Sequence, residues 1–130
     1  MDARASFIDR PFGAPVALSL PIPPSVNSAY RNVAGRGRAK TAAYTAWLKS
    51  ADMRWLMQKR TTGRLKGCGR YGALIEIPAG TRGDVDGRIK LILDYLVSRE
   101  ITDHDRHCWE VTCRRSDALA DECRVIVRAM

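Results

Sequence analysis

The stretch Tyr71 to Val97, YGALIEIPAGTRGDVDGRIKLILDYLV, changes its hydrophobic period once, and that change decides the fold. Tyr71 to Ile77 is a short apolar run rich in strand formers and is ended by Pro78, which predicts a strand. After the Gly80 to Gly83 turn, Ile89, Ile92, Leu93, Leu96 and Val97 recur at helical spacing, which predicts a helix beginning near Val85. Strand, glycine turn and helix in one run point to a mixed α/β domain.

Working outward, Val16 to Leu20 reads as a first strand, and Pro21, Pro23 and Pro24 force an extended path through to Ser25. Thr41 suits a helix N-cap, and Tyr44, Trp47, Leu48, Ala51, Trp55 and Leu56 form an apolar stripe through about Gln58. Sharing that stripe with Leu and Ala makes its aromatics core residues rather than base-stacking groups. Asp103 to Asp105 is a charged turn. Cys108 to Arg115 and Arg124 to Arg128 read as two antiparallel strands around the Ser116 to Asp121 turn. The expected order is β-α-β-α-β-β: about four strands in a small mixed sheet and two long helices. At 130 residues there is room for one domain, expected over 16–130, with residues 1–15 as a flexible arm broken by Pro11, Gly13 and Pro15.

Lys and Arg number 22 against 14 Asp and Glu, a formal charge of +8, and such a field attracts polyanions, nucleic acid first. No apolar run is long enough to span a membrane, and residues 1–14 lack the apolar stretch of a signal peptide, so a cytoplasmic location is expected. Cys68, Cys108, Cys113 and Cys123 form no Cys-x-x-Cys pair and are read as thiols. Arg31, Arg36, Arg38 and Lys40, interleaved with Gly35 and Gly37, read as a flexible cationic loop for phosphate oxygens, or equally as a solvated loop. A second basic loop runs through Lys59, Arg60, Arg64, Lys66 and Arg70.

Chemistry concentrates in Gly83-Asp84-Val85-Asp86-Gly87-Arg88-Ile89-Lys90, where two carboxylates stand two apart at a helix start in a cationic chain. Helix capping explains one Asp well and two less well. On a continuous helix Asp86, Lys90 and Asp94 share one face, either as an ordinary salt-bridge ladder or as carboxylates for Mg²⁺ beside an ammonium for a phosphate. Asp103-His104-Asp105 offers a third acid. A zinc site from His104, His107, Cys108 and Cys113 is the alternative for that segment, although its spacing matches no standard zinc framework.

From about Leu18 onward the chain resembles the RusA family of Holliday-junction resolvases. Leu20-Pro21-Ile22-Pro23-Pro24-Ser25-Val26-Asn27 is similar to the family's opening strand and Pro-Pro-Ser-x-Asn motif, with a basic loop and a Tyr-bearing helix after it. Asp84-Val85-Asp86 with Lys90 four residues on, then a helix and an acidic turn ending at Asp105, is similar to its acidic motif. The two motifs span about 100 residues in the family's order. The resemblance implies a homodimer, Mg²⁺ dependence with Mn²⁺ as a substitute, no small-molecule cofactor, and paired symmetric nicks in branched DNA, the four-way junction. It implies that Asp84, Asp86 and Asp105 bind the metal and that Lys90 is catalytic or contacts the phosphate. The expected DNA contacts are Asn27, Arg31, Arg36, Arg38, Lys40, Arg82 and Arg88. Two departures stand out: Gly87 replaces the family's Asn, and His104 separates acids that are usually adjacent, leaving Asp103 as the rival of Asp105. A non-catalytic DNA-binding protein, a degenerate resolvase or architectural factor, is the competing reading.

Overall fold

A computed structural model describes residues 15–130 apart from Lys66 and Cys68, so nearly all of the expected N-terminal arm lies outside the described residues. Among the described residues six strands form, β1 (Val16–Pro21), β2 (Tyr30–Val33), β3 (Gly37–Lys40), β4 (Tyr71–Pro78), β5 (Cys108–Ser116) and β6 (Glu122–Ala129). The helices are α1 (Val26–Ala29), α2 (Ala42–Thr62) and α3 (Ile89–Ser98), and single 3₁₀ turns cover Val85–Arg88 and Asp105–His107. Four strands make one mixed sheet in the order β1-β6-β4-β5, and β2 and β3 form a separate ribbon.

The apolar strand read at Tyr71 takes a central place in the sheet and is buried along its whole length. Alternate residues Ala73, Ile75 and Ile77 meet Leu18 and Leu20 of β1 and Val125 and Val127 of β6 in the core, beneath Trp47, Ala51 and Trp55 of α2. Thr41 caps α2 as expected, its hydroxyl accepting from the Tyr44 amide. Trp47 stands edge-on to Tyr95 of α3, with ring centroids 5.4 Å apart. The side chain of Gln58 accepts from the Ser19 amide at 2.9 Å and donates to the Ser19 carbonyl at 2.6 Å, so α2 satisfies backbone groups on edge strand β1. Among the described residues, no helix is long and apolar enough to cross a membrane.

Several expectations change. Leu56 is 63% exposed, because it lies one position around α2 from the stripe that Tyr44, Trp47, Ala51 and Trp55 bury. The basic segment 31–40 is no loose loop: β2 and β3 pair from Tyr30↔Lys40 to Val33↔Gly37. Gly35 and Gly37, at φ 73° and 76°, form the tight return that L side chains resist, and Arg36 N donates to Val33 O. The last two strands are not neighbours. β5 pairs parallel to β4 and β6 antiparallel to it, so the two straddle β4. The five residues between them easily cross two strand spacings of about 4.8 Å each, and this leaves β4 paired on both edges.

Candidate metal and phosphate site

The helix read as starting near Val85 opens instead with a 3₁₀ turn, and α-helical geometry begins only at Ile89. At three residues per turn, Asp86 no longer stacks over Lys90 as α spacing would place it. The ladder is shorter than expected. Lys90 Nζ binds Asp94 Oδ1 at 2.9 Å and Asp105 Oδ2 at 3.0 Å, with no ion pair to Asp86. Helix α3 buries Leu91, Ile92, Leu93, Tyr95 and Leu96, so Lys90, Asp94 and Ser98, each four residues from the next, form its polar strip.

Asp84 and Asp86 are both exposed, and their side chains do no structural work. Asp84 occupies the N-cap position of the 3₁₀ turn, yet its carboxylate caps nothing; the turn closes through its backbone, Gly87 N to Asp84 O at 3.2 Å. Neither Asp84 nor Asp86 makes a side-chain hydrogen bond or ion pair among the described residues. Capping does not account for the pair. Two acids stand open to solvent about one turn before an ammonium that itself holds a third acid.

The acidic turn divides its carboxylates. Both oxygens of Asp103 accept from the Gly67 amide, at 2.9 and 2.8 Å, tethering the loop after α2. Asp105 instead faces Lys90, and its other oxygen lies 2.9 Å from His104 Nδ1. The Lys90 hydrogen bond holds the Asp105 carboxyl below its ordinary value, against a smaller opposing push from burial. The reciprocal bonds from Asp94 and Asp105 push Lys90 well above the usual lysine range. Lys90 is therefore a permanent cation near neutral pH and cannot serve as a base.

The structure also brings the two sequence motifs together. Arg88 Nε donates to Pro23 O at 2.9 Å, and Gly87 packs toward Ser25, where an added Cβ would meet Ser25 Cβ at 3.8 Å. That distance is ordinary contact, so a side chain fits at position 87. Arg88, expected on DNA, is half-buried and acts as a brace between the motifs. Asn27, Arg31, Arg36, Arg38, Lys40 and Arg82 are all exposed, four of them on the β2–β3 ribbon. There Arg38 lies 4.3 Å over the Tyr30 ring and Lys40 5.8 Å over that of Tyr44.

Sequence reasoning missed two residues of β5 that position the acidic loop. Arg115 donates to the carbonyls of Ala79, Thr81 and Gly83, at 3.0, 2.5 and 2.7 Å, gathering the turn before Asp84. Cys113 Sγ donates to Val85 O at 3.0 Å. Nothing in the sequence signals either, because both depend on the parallel pairing of β4 and β5.

Carboxylate oxygens are the hard donors that magnesium takes, and those of Asp84 and Asp86 are unengaged among the described residues. Among the described residues no group of three His, Cys, Asp or Glu is placed to hold a metal ion, so Asp84, Asp86 and Asp105 do not come together as one ligand set. For the zinc alternative, burial raises the thiol pKa of Cys108 and Cys113, which opposes the thiolate that zinc requires. Set against known proteins, the sequence matches no protein-family model and no curated protein.

Proposed function

We propose that this protein is a magnesium-dependent endonuclease of the RusA type that cuts branched DNA as a homodimer. The observation that carries the reading is the pair Asp84 and Asp86, exposed and structurally idle, one turn from a lysine held charged by Asp94 and Asp105. In a chain of net charge +8, open carboxylates repel phosphate unless a cation sits between them.

Asp84, Asp86 and Asp105 would hold the magnesium, Mn²⁺ substituting, and the bound ion would supply an activated water and charge neutralisation at the phosphate. Asp105 is the third acid in this reading because it meets Lys90, and its contacts with Lys90 and His104 would have to yield an oxygen to the metal. The Lys90 ammonium remains protonated and faces the developing charge on the phosphate. Arg31, Arg36, Arg38 and Lys40 on the ribbon, with Arg82 and Asn27, contact the sugar-phosphate backbone, which positions a strand without reading its sequence. Two equivalent sites in a two-fold dimer suit two symmetric nicks across a four-way junction.

The competing reading, a non-catalytic binder, draws on the lack, among the described residues, of any group of three His, Cys, Asp or Glu placed to hold a metal ion. Incubating end-labelled four-way junctions with the protein in Mg²⁺, and again in EDTA, separates the two. Symmetric nicks that need the metal support the nuclease; a gel shift with intact strands under both conditions overturns it.

A further inference from the structure

The four-stranded sheet ends in two edge strands, β1 and β5, and they are finished differently. On β1, helix α2 takes up outward backbone groups: Gln58 serves both the amide and the carbonyl of Ser19, and Trp47 Nε1 donates to Pro21 O at 2.8 Å. On β5 no such cover exists among the described residues. Ser116 O accepts from Ala79 N at 3.1 Å, just past the end of β4. Backbone groups alternate sides along a strand, so Glu110, Thr112 and Arg114 also turn theirs to β4, while Val111, Cys113 and Arg115 turn theirs to the open edge. Val111 is 36% exposed there, and Trp109 near the start of the strand is 66% exposed, with Arg70 4.7 Å over its ring. An unguarded edge of this kind is a template for another strand.

The charges along β5 select which strand. Val111 pairs with Ala73 of the core face, so Glu110, Thr112 and Arg114 lie on the opposite face of the sheet. An antiparallel copy turned about Thr112 sets Glu110 opposite Arg114 of the second copy and Arg114 opposite its Glu110, and it lets the outward backbones of Val111 and Cys113 exchange hydrogen bonds. Glu110 binds no cation among the described residues, and Arg114 keeps 58% of its side chain exposed while it holds Glu76. Turning about Arg114 would set arginine against arginine, and turning about Glu110 would set acid against acid. Turning about Val111 or Cys113 would leave Glu110 opposite Thr112 or Ser116.

We propose that a second copy of this chain pairs on β5, antiparallel and two-fold about Thr112, and joins the two four-stranded sheets into one of eight strands. The proposal rests on the homodimer of the nuclease reading and gives it a surface. The two-fold axis stands perpendicular to the sheet, so α2, α3 and the acidic loops of both copies share one face of the assembly. Cys113 and Arg115 hold the acidic loop from the same strand, so the interface and the loop have a common support.

Sedimentation velocity of the full chain in reducing buffer, over a range of concentrations, is expected to show a dimer. Glu110→Arg, which sets arginine against Arg114 of the second copy, should weaken it roughly tenfold. Thr112→Cys reads the register. Opposed residues of a non-hydrogen-bonded antiparallel pair have Cα atoms about 4.5 Å apart, within disulfide reach, so mild oxidation should join two copies beyond any background from the four native cysteines. Ala17→Cys, exposed on the other edge strand, should stay at that background. A monomer at every concentration overturns the proposal, as does a dimer that Glu110→Arg leaves unchanged and Thr112→Cys fails to cross-link. Symmetric nicking by such a dimer leaves the nuclease reading standing on another surface. A dimer weakened by Glu110→Arg and cross-linked through Thr112→Cys that never nicks junctions in Mg²⁺ supports the β5 interface and overturns the nuclease reading.

Discussion

Glu76 and the Asp84–Asp86 pair are eight and ten residues apart, and they show two opposite uses of negative charge in one cationic molecule. Glu76, on β4, is 4% exposed and lies between Arg114 of β5 and Arg124 of β6. Each of its oxygens takes one guanidinium, with contacts from 2.6 to 2.9 Å. Burial alone would raise its pKa, but the hydrogen bonds and charges of Arg124 and Arg114 outweigh that and hold it below the ordinary glutamate value. Among the described residues, Asp84 and Asp86 have no cation and no amide bound to their side chains. Full engagement fixes three strands to one another, whereas a carboxylate left open can receive something from outside.

The sharpest way to break this contrast is to neutralise each acid in turn. Asp86→Asn should lower metal-dependent cutting by at least ~10²-fold while leaving the melting temperature and junction binding intact or improved. A variant that cuts at the wild-type rate removes Asp86 from the site. Glu76→Gln should do the reverse, destabilising the fold by about 2–3 kcal/mol, below the ~3–5 kcal/mol of a fully buried pair because its arginines are half-exposed. Denaturant titration reads that loss, and the nicking rate per folded molecule should not change.

Lys90→Gln should slow nicking by roughly 10²-fold, with a modest loss of binding. Since Asp94 and Asp105 keep Lys90 protonated, the wild-type rate should show no lysine titration between about pH 6 and 9. A rate that falls on loss of a lysine proton in that range, and does so only when Lys90 is present, contradicts the assignment.

Acid sharpens the comparison further. Because the folded pKa of Glu76 lies below its unfolded value, its contribution is complete above about pH 4.5 and is lost as pH falls through the folded value. Wild type should therefore lose stability steeply in that window, and Glu76→Gln should flatten the acid limb. The smallest effect is expected at Asp103. Replacing it with Ala frees the Gly67 amide at an exposed site and should cost about 1 kcal/mol or less, with nicking preserved, whereas Asp105→Ala should abolish nicking.

Much of the fold was legible because period and composition report burial directly. Val16–Leu20, the α2 stripe apart from Leu56, its Thr41 cap and Tyr71–Ile77 all lie where the pattern placed them. The ribbon was not, since β2 and β3 alternate no apolar face and are held by glycine turns and by Tyr30 against Tyr44. The idle acids were visible as residues, and so was Lys90. Arg115 and Cys113, which shape the loop that carries those acids, were not.

The sequence by itself determined the class of fold, the cationic field and the acids in question, because these follow from residue type and local spacing. Only the tertiary structure decided that β5 and β6 flank β4, that Asp103 is tied to a loop while Asp105 meets Lys90, and that Arg88 is a brace. Those outcomes depend on which distant backbone groups and charges come within hydrogen-bonding distance, and strand order sets that, not spacing along the chain.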